Sequence, residues 1–178
     1  MKSIVAGLVL VMLAAAAAAA QLPRPSPEFA LTPPGGNTLL LSSLKGKVVV
    51  MEFLFIRSEH CLRVARMLNN LEHELAPRGF QSVGVVFDPP NNASAGAQSV
   101  TAMANYFKLS YPVAYASKDS VDSFLDRART EVLTIPQIVV IDRKGTIRAA
   151  SGGRSADPRL EDEGALRTLI ESLLVETN

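Results

Sequence analysis

The sequence predicts an α/β domain with a central mixed β-sheet flanked by helices, and three observations carry the prediction. Residues 48–56, 80–87 and 137–142 are apolar runs rich in β-branched and aromatic side chains, the composition of strands covered on both faces. Between and after them lie segments with apolar residues at three- and four-residue spacing, the mark of amphipathic helices. Arg143-Lys144-Gly145 is a tight turn from the third run into residues 146–150, which makes that pair antiparallel. The resulting order, β-α-β-α-β-β-α, belongs to an α/β fold with a mixed sheet.

Each element has its own signal. Residues 1–20 read as a secretory leader: Lys2 is the positive start, residues 4–13 the apolar stretch, and Ala18 and Ala20 the small residues before a cut at Gln21. The other reading is an uncleaved membrane anchor, because the apolar stretch approaches spanning length. No cysteine follows the leader to accept a lipid. Residues 21–37 form an extended, Pro-rich segment with Phe29 and Leu31 as docking points, and the domain proper is expected over 38–178. A short strand is expected at 38–41. Glu52 alone interrupts the first apolar run. From Ser58, the residues Cys61, Val64, Ala65, Leu68, Leu71 and Leu75 form one helix stripe, which Pro77-Arg78-Gly79 stops. After the second run and a turn cluster at 88–92, helical composition covers 93–109. A short strand at 111–116 and a short helix at 119–129 follow. Residues 151–158 form a loop, and 161–175 a closing helix with Leu166, Leu169, Ile170 and Leu173 inward.

At 178 residues the chain holds one ordinary domain and not two comfortable ones. Its net charge of +1 implies no basic face, so nucleic acid is not an expected partner, and no basic run would bind anionic lipid. An exported protein meets oxidising conditions, yet Cys61 is the single cysteine. With no internal disulfide, its thiol is buried, paired with another molecule, or reactive. If Ser58 caps the helix, Cys61 lies in the first turn, where free amides and the helix dipole favour a thiolate. Glu59 opposes that effect and a protonated His60 would help it. The alternative is an inert cysteine beneath the helix. Glu52 is either a buried carboxyl with a raised pKa, suited to proton exchange near neutrality, or an edge residue reaching solvent. His60, Cys61 and His73 lack the spacing of a metal site, and no cofactor is expected.

Five local words, in order, resemble the exported thioredoxin-like proteins of the TlpA/ResA type, which share a domain model with the AhpC/TSA peroxiredoxins. They are Lys45-Gly46-Lys47, the apolar strand, the Ser58-Glu59-His60-Cys61 motif opening a helix, Ile135-Pro136 before the third strand, and the Asp142-Arg143-Lys144-Gly145 turn. The resemblance spans residues 29–175 and implies a thioredoxin-like fold. It implies that Cys61 is the resolving cysteine and that Glu52 is the buried acid exchanging a proton with it. It also implies that Pro136 is cis and faces the motif, so that Ile135, Pro136, His60 and Glu59 line a substrate edge. Two departures matter. Position 58 is Ser where the family has its attacking cysteine, and Arg57 replaces the frequent tryptophan.

A serine hydroxyl ionises too weakly to attack a disulfide, so the dithiol cycle cannot run. A single-cysteine chemistry remains: mixed disulfides with exported protein thiols or small thiols, or reduction of peroxide to a sulfenic acid that an external thiol resolves. Ser58 fits the spacing of a peroxiredoxin site, whereas Leu54 stands where the proline belongs, and Arg143, Arg148 and Arg154 are the candidate activating arginines. The reading from another class is a non-catalytic fold that binds polypeptide along the Pro136 edge.

Overall fold

The structure, a computed structural model, describes residues 22–87, 96–128, 130–152 and 156–176. The leader expected at 1–20, the turn cluster at 88–92 and Arg154 lie outside the described residues. The strands are β1 (Arg24–Pro25), β2 (Ala30–Leu31), β3 (Leu39–Leu40), β4 (Val48–Leu54), β5 (Phe80–Phe87), β6 (Val113–Ala116), β7 (Gln137–Ile141) and β8 (Thr146–Ala150). The helices are α1 (Glu59–Leu75), α2 (Ala97–Phe107), α3 (Lys118–Phe124) and α4 (Glu163–Val175).

Six strands form one sheet in the order β1-β8-β7-β4-β5-β6, and β2 and β3 make a separate antiparallel pair. The β4–β5 and β5–β6 pairs are parallel, whereas β4–β7, β7–β8 and β1–β8 are antiparallel. The three apolar runs of the sequence therefore lie side by side at the centre, and every residue of β4 is buried. Alternation along β4 splits the core. Val48, Val50 and Leu54 pack with α1, α2 and α4, and Val49, Met51 and Phe53 face α3 and the N-terminal segment. On that second face Phe29 and Phe124 sit edge-on at 5.2 Å between ring centres, with Phe53 at 6.0 and 5.5 Å from them. Burial of Phe29 and Leu31, worth about 2 kcal/mol each, holds the Pro-rich segment to the domain together with the β1–β8 pairing.

Polar tethers fix α1, the helix that carries Cys61. The Tyr111 hydroxyl donates to the Ala65 carbonyl at 3.1 Å, and Ser82 Oγ donates to the Leu68 carbonyl at 3.3 Å. Glu72 accepts from the Ser82 amide at 2.6 Å and from Gln81 Nε2 at 3.0 Å. The β6 strand pairs with β5 only from Gly84 onward, so Glu72 satisfies an amide that no strand reaches.

Several element ends differ from the sequence expectation, and for three of them the structure shows why. The β4 strand stops at Leu54, because Phe55–Arg57 turn into the Ser58 cap and the Ser58 amide bonds to the Phe55 carbonyl. The α3 helix ends at Phe124 because Arg127 folds back: its guanidinium pairs with buried Asp122 at 2.6 Å, and Asp126 takes a φ of 54°. The last helix starts at Glu163, since Asp162 accepts from the Ala165 amide and residues 158–161 form a separate 3₁₀ turn.

Candidate active site

The site lies where β4 hands over to α1. Ser58 is the N-cap of α1, and its Oγ accepts from the Cys61 amide at 3.3 Å, which puts Cys61 in the first turn. Cys61 is completely buried. Burial pushes its thiol pKa up. The Ser58 hydroxyl and the Phe55 backbone pull it partly back, and the charge of Glu52 pushes it up further. Desolvation outweighs the local hydrogen bonds, so the net direction is upward.

Glu52 is also completely buried, so the placement at a solvent-facing edge is excluded. It sits on β4 between Val50 and Leu54, on the sheet face that α1 and Cys61 cover. Neither carboxylate oxygen has a hydrogen-bond partner among the described residues. Desolvation holds its carboxyl well above the usual carboxylate range. Its register neighbours explain the dryness. Glu52 pairs with Gly84 on one side and Ile138 on the other. A Cβ at Gly84 would lie 3.0 Å from both Val113 methyls and 3.4 Å from the Tyr111 ring, so glycine here admits these side chains close to the sheet. Tyr111 is buried, and desolvation followed by the charges of Glu52 and Glu72 holds its phenol well above the ordinary value.

Ile135–Pro136 is a cis peptide, and Pro136 is buried. Phe53 pairs with Gln137, so Pro136 enters the sheet level with the end of β4, beside the turn into α1. Gln137 Nε2 donates to the Thr134 carbonyl at 2.5 Å and to Thr134 Oγ1 at 2.9 Å, which ties the segment before Pro136 into a fixed bend. Of the two residues inside the motif, Glu59 is exposed. His60 Nε2 lies 2.6 Å from Glu161 Oε2, which joins the motif to the 3₁₀ turn before α4. Leu160 in that turn is buried in the core cluster that holds Cys61.

Two of the candidate arginines are placed elsewhere. Arg143 donates to the carbonyls of Gly46, Arg78 and Leu174, and Arg148 pairs with Asp142 and Glu176. Both belong to the end of the sheet where Ile141 pairs with Val49, and Cys61 follows the opposite end of β4. Neither can activate a peroxide at Cys61. The sequence reading also missed Gly84, Tyr111 and Glu161. A glycine inside an apolar strand signals a close approach, but nothing local told what approaches it. Among the described residues no group of His, Cys, Asp and Glu side chains could hold a metal ion.

A cysteine in the first turn of the helix after the central strand, a buried acid on the sheet face that this helix covers and a cis-proline level with the end of that strand define a thioredoxin-like fold. The model of the AhpC/TSA family matches residues 23–150, and the chain belongs to that family. Solved structures share the fold. A thiol:disulfide interchange protein of the thioredoxin family from Chlorobium tepidum TLS is 22% identical, with a TM-score of 0.68 over 88% of this chain and 99% of that one. The thioredoxin domain of a thiol-disulfide oxidoreductase from Bacteroides vulgatus is 18% identical, with a TM-score of 0.65 over 85% and 99%. A thiol:disulfide interchange protein from Bacteroides sp. is 18% identical, with a TM-score of 0.65 over 85% and 91%. A comparison with curated proteins finds no match. No described helix is long and apolar enough to cross a membrane.

Proposed function

We propose that this protein is an exported thiol redox protein whose chemistry rests on Cys61 alone, forming mixed disulfides with protein or small-molecule partners. One observation carries the reading: the Glu52 carboxyl is fully buried without a hydrogen-bond partner among the described residues, on the sheet face that α1 and Cys61 cover. Such a group costs stability, and a proton-exchange partner for a buried thiol gives it a use. In the step we envisage, the Cys61 proton passes to ionised Glu52 and the thiolate attacks a partner disulfide. A bond forms between Cys61 Sγ and one partner sulfur. The other partner sulfur leaves with the electron pair and takes the proton back from Glu52. With Ser58 at the attacking position the adduct persists until an external thiol displaces it. Peroxide reduction is the weaker branch, because Arg143 and Arg148 are committed elsewhere.

Complete burial of Cys61 favours a second reading, in which the fold binds polypeptide along the Ile135–Pro136 edge without chemistry. Alkylation of Cys61 by iodoacetamide across pH separates the two, run on the wild type and on Glu52→Gln. The redox reading expects measurable alkylation of the folded protein, slowed in Glu52→Gln near neutral pH. Faster alkylation of the variant would reduce Glu52 to a mere charge beside the thiol. Protection of Cys61 until unfolding in both proteins would establish the binding reading.

A further inference from the structure

The arginines of this protein are not partnered alike. Away from the motif, Arg78, Arg127, Arg148 and Arg167 are matched with Glu171, Asp122, Glu176 and Glu74, and Arg24 and Arg143 are taken up by backbone carbonyls. Around the motif it is otherwise. The side chains of Arg57, Arg63 and Lys108 are exposed and have no ion-pair or hydrogen-bond partner among the described residues. Arg63 and Arg66 follow Glu59 on one outward stripe of α1 at four- and three-residue spacing.

Arg66 links this stripe to α2. Its guanidinium stands 4.6 Å from the centre of the Phe107 ring, and Tyr106 packs edge-on to that ring at 4.9 Å. Asn69 ties the same region to α1 by accepting from the Ser110 amide at 2.8 Å and donating to the Lys108 carbonyl at 3.4 Å. Tyr106 is 80% exposed, although it is a large aromatic in a protein that buries most of its apolar residues. The α2 helix carries no charge of its own.

From this arrangement we propose that the face made by Arg63, Arg66, Tyr106, Phe107 and Lys108 docks an acidic polypeptide segment beside the Ser58–Cys61 turn. The argument is charge complementarity joined to geometry. Unmatched guanidinium groups favour carboxylates in bidentate contact, and Arg66 is already oriented by its ring. Exposed tyrosine and arginine are the residue types that anchor protein interfaces. An anionic membrane would need an apolar strip to insert, and this face offers two rings lying against each other. A nucleic acid would need a longer run of cations than these. The proposal goes beyond the redox reading and does not depend on whether Cys61 turns over.

Fluorescence anisotropy tests it with a short fluorescein-labelled peptide of Glu, Asp, Gly and Phe, against a counterpart carrying Lys and Arg in place of the acids. The acidic peptide should bind and weaken with added salt, and the basic one should not bind. Arg63→Glu with Arg66→Glu should weaken binding roughly tenfold or more, and Tyr106→Ala, at a position too exposed to matter for folding, should weaken it in the same direction. Arg167→Glu, on α4, should bind as the wild type does. Circular dichroism checks each fold. Absence of binding, equal binding of both peptides, or wild-type affinity in the folded double variant would overturn the proposal. So would binding to phosphatidylglycerol–phosphatidylcholine vesicles without binding to the peptide.

Discussion

Ser58 is the residue on which the site turns, because it stands where the resemblance puts an attacking sulfur and its oxygen performs two tasks. It caps α1 by accepting from the Cys61 amide, and it lowers the thiol pKa against the pull of burial. Ser58→Ala should therefore cost about 1 kcal/mol of stability, the usual worth of a serine cap. The same variant should push the thiol higher, so Cys61 alkylation slows at any fixed pH. Ser58→Cys tests the opposite change. The wild type should show near-zero insulin reduction, since a mixed disulfide is released from within only by a second thiol in the same motif. Restoring that thiol should create the activity, read as insulin turbidity with dithiothreitol as reductant. A folded Ser58→Cys protein without activity would mean that Glu52, Pro136 and the rest of the site no longer serve exchange.

At the scale of elements, the site depends on how closely β5 and β6 let Tyr111 approach Glu52. Gly84→Ala should place a methyl 3.0 Å from both Val113 methyls in the middle of the sheet, where the backbone is paired on both sides. Thermal melting should show a loss of about 1–3 kcal/mol, the usual cost of overpacking. Unchanged melting would mean that the Tyr111–Val113 segment is looser than its contacts indicate. The elements themselves were legible where burial is two-sided. The strands β4, β5 and β7 lie side by side at the sheet centre, so their sequences are nearly continuous apolar runs, and α1 shows its stripe because one face meets the core. Helix ends were less legible, because side chains decide them: Arg127 reaching back to Asp122 ends α3, and Asp162 rather than a residue of the apolar pattern starts α4. The site was half legible for a related reason. Ser58, Cys61 and Glu52 announce themselves by local spacing, but Tyr111 meets Ala65 across 46 positions of chain and Glu161 meets His60 across a whole domain. No local pattern encodes such meetings.

At the scale of the molecule, a net charge of +1 gives no sign that Arg57 and Arg63 at the motif stay without a partner among the described residues while Arg78, Arg148 and Arg167 elsewhere are ion-paired. A buried acid has a molecular consequence as well. Glu52 has its pKa raised well above 4.5 by desolvation, so the folded protein holds that proton more tightly than the unfolded chain does. The stability tied to the protonated carboxyl is complete below the unfolded value and is lost as pH rises through the folded one. Between the two values the loss runs at about 1.4 kcal/mol per pH unit. Glu52→Gln keeps the shape and removes the ionisation, so it should melt near the wild type in mild acid and increasingly above it as pH rises. For a domain of this size the gap should widen by roughly 3–6 °C per pH unit. Glu72, whose pKa burial also raises, is present in both proteins, so the difference between the two melting curves isolates Glu52. Parallel curves from mild acid to alkaline pH would mean that Glu52 reaches water or a partner in solution, and the case for a poised proton acceptor beneath Cys61 would fall with it.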